Sequence, residues 1–136
     1  MRLISVLITG AALVSCTTAP PAPTRTAQSQ REFQQLLNGK VAQAPINCLP
    51  HYRSGDMRVI DDDTIAFNDG SRVYVNHMEG GCTNLSSGHN ALLTRQFGTA
   101  DLCRGDIAHV VDTLNGFTVG SCVFGDFVPY VRPGRG

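Results

Sequence analysis

The sequence has no tryptophan and only 7% aromatic residues, so any core it builds is modest and made mainly of aliphatic side chains. It has no excess of either charge: 11 Lys and Arg balance 11 Asp and Glu. The strongly basic face that a nucleic-acid partner requires is therefore missing, as is a polybasic patch for lipid headgroups. No apolar run reaches the length of about 20 residues that spans a bilayer as a helix. The histidines His51, His77, His89 and His109 form no H-x-H or H-E-x-x-H arrangement. No cysteine pair has zinc-ligand spacing. There is no G-x-S-x-G nucleophile elbow and no D-x-D-x-D-G calcium loop. These absences leave no motif that names a reaction, a metal or a cofactor, and the expectation is a non-enzymatic protein without a cofactor.

What is present begins at the N-terminus. Arg2 gives a positive start, Leu3 to Leu13 are mostly apolar, and small Ser15 precedes Cys16, the build of a secretory signal. Leu13-Val14-Ser15-Cys16 resembles the lipobox of bacterial lipoproteins. The resemblance implies that residues 1–15 are a signal peptide. It also implies that Cys16 becomes a lipidated N-terminus, with a diacylglycerol on its thiol and, in Gram-negative relatives, an acyl chain such as palmitate on its amine. Two or three chains hold a protein firmly where one would not. By resemblance to lipoprotein sorting, Thr17 after the cysteine points to the periplasmic side of the outer membrane, with membrane lipid as a partner through Cys16. Simple secretion, with cleavage near Ala19 or Ala22, is the rival reading.

Loss of Arg2 with the signal leaves 10 basic against 11 acidic residues, a net charge of −1. With Cys16 assigned to lipid, Cys48, Cys82, Cys103 and Cys122 are an even set, spaced by 34, 21 and 19 residues. In an oxidising compartment such a set reads as two disulfides.

Residues 16–30 read as the lipidated cysteine followed by a Pro/Thr/Ala tether with no apolar periodicity. Its 14 residues after Cys16 would reach roughly 20 Å as a flexible coil. Ser29 to Glu32 fits a capping box. Phe33, Leu36 and Leu37 follow at helical spacing, and Asn38-Gly39 supplies a stop. The rest reads as β. Pro45 to Pro50 is a short extended piece carrying Cys48. Met57–Asp61, Thr64–Phe67, Arg72–Asn76, Ala91–Arg95, Ile107–Leu114 and Phe117–Phe124 read as strands. Asn68 to Ser71 is a hairpin turn, and Asn115-Gly116 is the signal for a two-residue type I′ turn. The fold expected is a mainly β domain over residues 31–131, a small antiparallel barrel or sandwich of about six strands with one short N-terminal helix and two disulfides, and a tail at 132–136.

A two-residue loop at Asn115-Gly116 makes residue numbers across the last hairpin sum to 231, which sets His109 opposite Cys122. A straight ladder then places Cys103 roughly 20 Å from Cys122, well outside the limit of about 7 Å between the Cα atoms of a disulfide. The nested pairing Cys82–Cys103 with Cys48–Cys122 is therefore preferred, and the other connectivities stay open.

The order of Cys48, Val59-Ile60-Asp61-Asp62, Arg72-Val73-Tyr74, Gly81-Cys82-Thr83-Asn84-Leu85, Leu102-Cys103-Arg104-Gly105-Asp106 and Ser121-Cys122 resembles a family of small Gram-negative lipoproteins that is itself a domain of unknown function. The likeness covers about residues 31–131. It implies a fold and a cellular address and brings no activity with it. The stretch from Val128 onward has no counterpart in it.

Other features have plain readings. Asp61-Asp62-Asp63 is expected to be a solvated turn. Ser121, His109 and Asp112 can be drawn as a triad, though short strands offer such sets by chance. Arg104-Gly105-Asp106 spells an integrin tripeptide but reads as a turn with Gly105 supplying the freedom. Periplasmic lysozyme inhibitors are similar in build, and some carry a Ser-Gly-x-x-Tyr loop. Here Ser54-Gly55 and Ser87-Gly88 are followed by Arg58 and Ala91 where the tyrosine would stand. The role expected is binding of an envelope protein or the cell wall. The alternatives are inhibition of a lysozyme-type hydrolase and a small hydrolase or metal-binding protein.

Overall fold

The computed structural model describes residues 25–49, 56–95 and 101–134. Cys16, the signal segment, His51 and Ser54-Gly55 lie outside the described residues. The order of elements is α1 (Ala27–Leu37), β1 (Val41–Ala42), β2 (Cys48–Leu49), β3 (Met57–Val59), β4 (Thr64–Asp69), β5 (Arg72–His77), β6 (Asn90–Thr94), β7 (Leu102–Cys103), β8 (Ile107–Asp112), β9 (Thr118–Val123) and β10 (Phe127–Val131). Six strands have five or six residues; the other four are segments of two or three. The domain is mainly β and sandwich-like rather than a closed barrel. No helix among the described residues is long and apolar enough to cross a membrane.

A five-stranded antiparallel sheet, in the order β1-β10-β5-β4-β3, forms the middle layer. Strand residues alternate between faces, so Ile65, Phe67 and Tyr74 point one way while Ala66, Val73 and Val75 point the other. The first set joins Phe124, Phe127, Leu102, Val110 and the buried cysteines in the main core. The second set lies under α1, whose Phe33, Leu36 and Leu37 pack on it with Tyr130. Covered on both faces, β4 and β5 each carry a run of four buried residues. The three-stranded sheet β6-β8-β9 and the ribbon β2-β7 make up the opposing layer.

The helix begins earlier than the capping box at Ser29 implies. Thr26 is the N-cap, its hydroxyl accepting from the Ser29 N–H at 3.1 Å, so residues 27–30 belong to the helix and not to the tether. Arg25 is also fixed. Its guanidinium donates to Asp61 Oδ2 at 2.6 Å, to Thr64 Oγ1 at 3.0 Å and to Gln30 Oε1 at 3.1 Å, and it lies 4.7 Å from the centre of the Phe33 ring. The C-terminal stop is as expected, with Gly39 at φ +70° just beyond Asn38.

β10 is the strand the sequence concealed. Pro129 interrupts it, yet it lies between β1 and β5. The Pro129 carbonyl accepts from the Gln43 N–H at 2.8 Å. In an antiparallel ladder the nitrogen of the same residue faces the same side. The absent N–H therefore falls toward β1, whose two residues end there, and the β5 side keeps its bonds.

The disulfides are Cys48–Cys103 and Cys82–Cys122, with Cα separations of 4.0 and 4.9 Å. This corrects the nested pairing of Cys82 with Cys103 and Cys48 with Cys122. The cause is the last hairpin. Its turn is not two residues long: the Asp112 N–H donates to the Phe117 carbonyl and the Gly116 N–H to the Asp112 carbonyl, which encloses residues 113–116. Val119 is then an extra residue between Val110↔Gly120 and Val111↔Thr118, a bulge. The pairs beyond it sum to 230, so Cys122 stands opposite buried Ala108, not His109, and faces the core. There it meets Cys82, whose segment is held along β9 by the Glu79↔Val123 bridge. Cys103 lies off this ladder altogether. Arg104-Gly105-Asp106 turns the chain out of β8, with Gly105 at φ +89°, and β7 pairs with β2 so that Cys103 directly faces Cys48.

Candidate functional site

Two groups of residues stand apart from ordinary packing: a polar network under the start of α1, and the outer face of the three-stranded sheet with its hairpin tip.

The polar network begins at Asp61-Asp62-Asp63, which is not the solvated turn expected. Asp61 is 2% exposed. One of its oxygens takes the Arg25 ion pair and the other accepts from the Asp63 N–H at 2.8 Å. Asp62 Oδ1 accepts from the Ser86 N–H at 2.7 Å, and its carbonyl accepts from the Cys82 N–H at 2.6 Å. Thr64 Oγ1 lies 3.3 Å from His77 Nδ1. The carboxylates of Asp61 and Asp62 both have structural partners, so the cluster fastens α1, β4 and the loop at 82–90 together. No group of three or more His, Cys, Asp or Glu is placed to hold a metal ion among the described residues.

A second polar clamp lies at the corner between β9 and β10. Fully buried Asn76 donates to the Gly125 carbonyl at 2.7 Å and accepts from the Gly125 N–H at 3.1 Å. A side chain at position 125 would collide with the His77 carbonyl oxygen. This too is architecture, satisfied on both ends of the amide.

The three-stranded sheet differs. Leu92, Ala108, Val110 and Cys122 face the core, so the alternation places Leu93, Ile107, His109, Val111, Ser121 and Val123 on the opposite, outer face. Leu93, His109 and Ser121 are cross-strand neighbours in one row, as are Ile107 and Val123 in another. Ile107 is 57% and Leu93 48% exposed. Within β6, β8 and β9 the sole Asp, Glu, Lys or Arg is Asp112, at the hairpin end.

Beyond Asp112 the hairpin tip presents Leu114 and Phe117, 69% and 71% exposed, the two most exposed of the large hydrophobic residues described. The tip is tightly held. Asp112 Oδ1 accepts from the N–H groups of Leu114 and Asn115 at 2.7 and 3.2 Å, and Oδ2 accepts from Asn115 Nδ2 at 3.2 Å. The Leu114 N–H bond above all holds the Asp112 carboxyl below its usual pKa. Thr113 donates through both its N–H and its hydroxyl to the His89 carbonyl, at 2.8 and 2.7 Å.

These contacts dispose of the drawn triad as a unit. His109 and Ser121 are neighbours on the outer face, but Asp112 is engaged by its own loop. A groove of about 520 Å³ lies elsewhere, between α1 and the edge of β3, where Glu32, Leu36, Arg58 and Ile60 help line it. Arg104-Gly105-Asp106 is a turn, as expected. Asp106 Oδ2 accepts from the Cys103 N–H at 2.7 Å, and Arg104 pairs with Asp126 and Glu79 at 3.2 and 3.4 Å. Ser87-Gly88 is on an exposed loop.

The sequence reading did not single out the apolar outer face. Its signal is the near absence of charge from Ile107 to Phe124. Comparison of the chain with family models, with curated proteins and with solved structures finds no match in any of the three.

Proposed function

We propose that the protein is a non-enzymatic lipoprotein of the bacterial outer membrane, held by lipid at Cys16 on the periplasmic side, whose domain binds another envelope component. The observation that carries this reading is the outer face of the three-stranded sheet, where exposed Leu93 and Ile107 with Val111 and Val123 border His109 and Ser121, and Glu79 stands only at the edge, opposite Val123. Contiguous apolar surface rimmed by polar residues is characteristic of contact sites, and the depletion of charge matches the centre of protein interfaces. Two disulfides accord with an oxidising compartment. The lipobox-like Leu13 to Cys16 and the resemblance to small Gram-negative lipoproteins support the address.

The test is photo-crosslinking in intact envelopes from a reactive residue placed at Leu93 on the bare face, with Arg58 on the helix side as the control. A discrete adduct from position 93 and none from 58 is the expected result. Equal yields from both positions would sink the assignment. Incubated with lysozyme, the soluble domain is expected to leave lysis rates unchanged; strong inhibition would replace this reading with the hydrolase-inhibitor one.

A further inference from the structure

We infer that the hairpin tip, Leu114 and Phe117, is a second membrane contact that rests in the lipid interface and sets the orientation of the domain. The inference rests on the lipid-anchor reading of Cys16.

The first support is reach. The described residues begin at Arg25, which is pinned by Asp61, Thr64 and Phe33. Only eight residues, Thr17 to Thr24, separate it from Cys16. Even fully extended, that length spans at most roughly 30 Å, about the diameter of a domain this size. The domain therefore stays against the surface that holds it.

The second support is position. Arg25 bonds to Asp61, Asp62 bonds to the Ser86 N–H, and the His89 carbonyl receives both donors of Thr113. Three short contacts thus link the point where the chain enters the domain to the base of the tip, by way of the loop at 82–90.

The third support is the chemistry of the tip. Leu114 and Phe117 are the most exposed large hydrophobics described, and the Asp112 and His89 bonds hold the loop that carries them. Little conformational freedom is lost when they enter a new surrounding. Asp112 remains charged, but it sits at the base of the loop and its oxygens are occupied by loop donors. No lysine or arginine lies in residues 105–131, so the contact is apolar and suits a zwitterionic surface. Two side chains alone bind a bilayer weakly. A short tether raises their effective concentration to the order of millimolar, which makes a weak contact persistent. With the tip in the interface, the strands of the bare sheet rise away from the membrane and their outer face is open sideways to a partner.

The absence of tryptophan gives a clean test. The chain from Cys16 onward, carrying Phe117→Trp, is coupled through the Cys16 thiol to a maleimide lipid in phosphatidylcholine vesicles; the other four cysteines are in disulfides. The expected result is a blue-shifted emission that loses more than half its intensity with brominated acyl chains and is unchanged in 1 M salt. Val41→Trp, on the edge of the five-stranded sheet, is expected to stay unquenched. Water-like, unquenched emission from Phe117→Trp on coupled vesicles overturns the inference. So does a blue shift that brominated lipid does not quench, which would place the tip against a second copy or another protein. Because the coupling is chemical, this outcome is independent of native lipidation. That reading is judged separately by the mass of the Cys16 peptide from cells.

Discussion

The two sheets of this domain are built from similar β-formers and used in opposite ways. In the five-stranded sheet both faces are covered, by α1 and by the opposing layer, and β4 and β5 are buried almost without alternation. Its polar residues are spent on architecture: Asp61 on Arg25, Asn76 on the corner at Gly125. In the three-stranded sheet the inner face is packed and the outer face keeps Leu93 and Ile107 in water. That sheet carries little charge and offers apolar surface. On the reading proposed above, the contrast separates the part that holds the fold from the part offered to a partner.

The largest effect is expected where the two regions are joined. Cys82–Cys122 ties the loop after β5 to β9, and replacing both cysteines with alanine should cost about 2–5 kcal/mol of unfolding free energy, read by denaturant titration. Peptide mapping without reduction should return Cys48–Cys103 and Cys82–Cys122; a Cys82–Cys103 peptide would undo the register described for β9. Within the covered sheet, Asn76→Ala leaves the backbone groups of Gly125 without their partner in the interior. It should cost about 1–3 kcal/mol, and a loss under half a kilocalorie would mean that the corner is held by packing alone.

Much of this contrast was legible in the sequence, and the failures have identifiable causes. Five of the six longer strands, β4, β5, β6, β8 and β9, coincide with segments read from β-branched and aromatic runs, as does the short β3, because Thr64–Phe67 and Ile107–Leu114 follow local preference. The Phe33, Leu36 and Leu37 stripe correctly gave the face of α1 that packs, half-buried, on the sheet. Local signals misled where a distant residue decided. Asp61 reads as a surface charge until Arg25, 36 positions away, is recognised as part of the domain. Asn115-Gly116 has the composition of a two-residue turn, but the Asp112 side chain captures the N–H groups of Leu114 and Asn115 and draws the loop out to four residues. The single-residue change of register that follows turns Cys122 to the core and toward Cys82, while Cys103 meets Cys48 through the separate pairing of β7 with β2. Pro129 hid β10 because its tolerance depends on how short β1 is. The bare face was missed because alternation shows that one side of a strand is buried but not whether its apolar opposite side is covered.

Smaller effects sharpen the contrast from the other side. Leu93→Ser with Ile107→Ser should change stability by no more than about 0.5 kcal/mol per site, while the crosslink from a neighbouring reporter at Val111 is lost. A large loss of stability would mean that this face is covered within the domain. The smallest effect is at the tip. The Asp112 carboxyl is held below its usual value, so its contribution to stability is fully present above the ordinary aspartate pKa of about 4 and is lost as pH falls through the lowered folded value. The difference in melting temperature between the wild-type protein and Asp112→Asn should accordingly be constant near neutrality and shrink below about pH 4; a difference that grows on acidification would contradict the loop bonding.

The central claim, that the outer face of the three-stranded sheet and its tip are the proposed working surface, is tested most directly by hydroxyl-radical footprinting of the full chain in membrane vesicles from the cells that make it against the isolated domain. The account predicts reduced labelling at Leu93, Ile107, Leu114 and Phe117, with Val41 and the α1 side chains unchanged. Equal labelling of those four residues in both states, or protection confined to α1 and the five-stranded sheet, would contradict it.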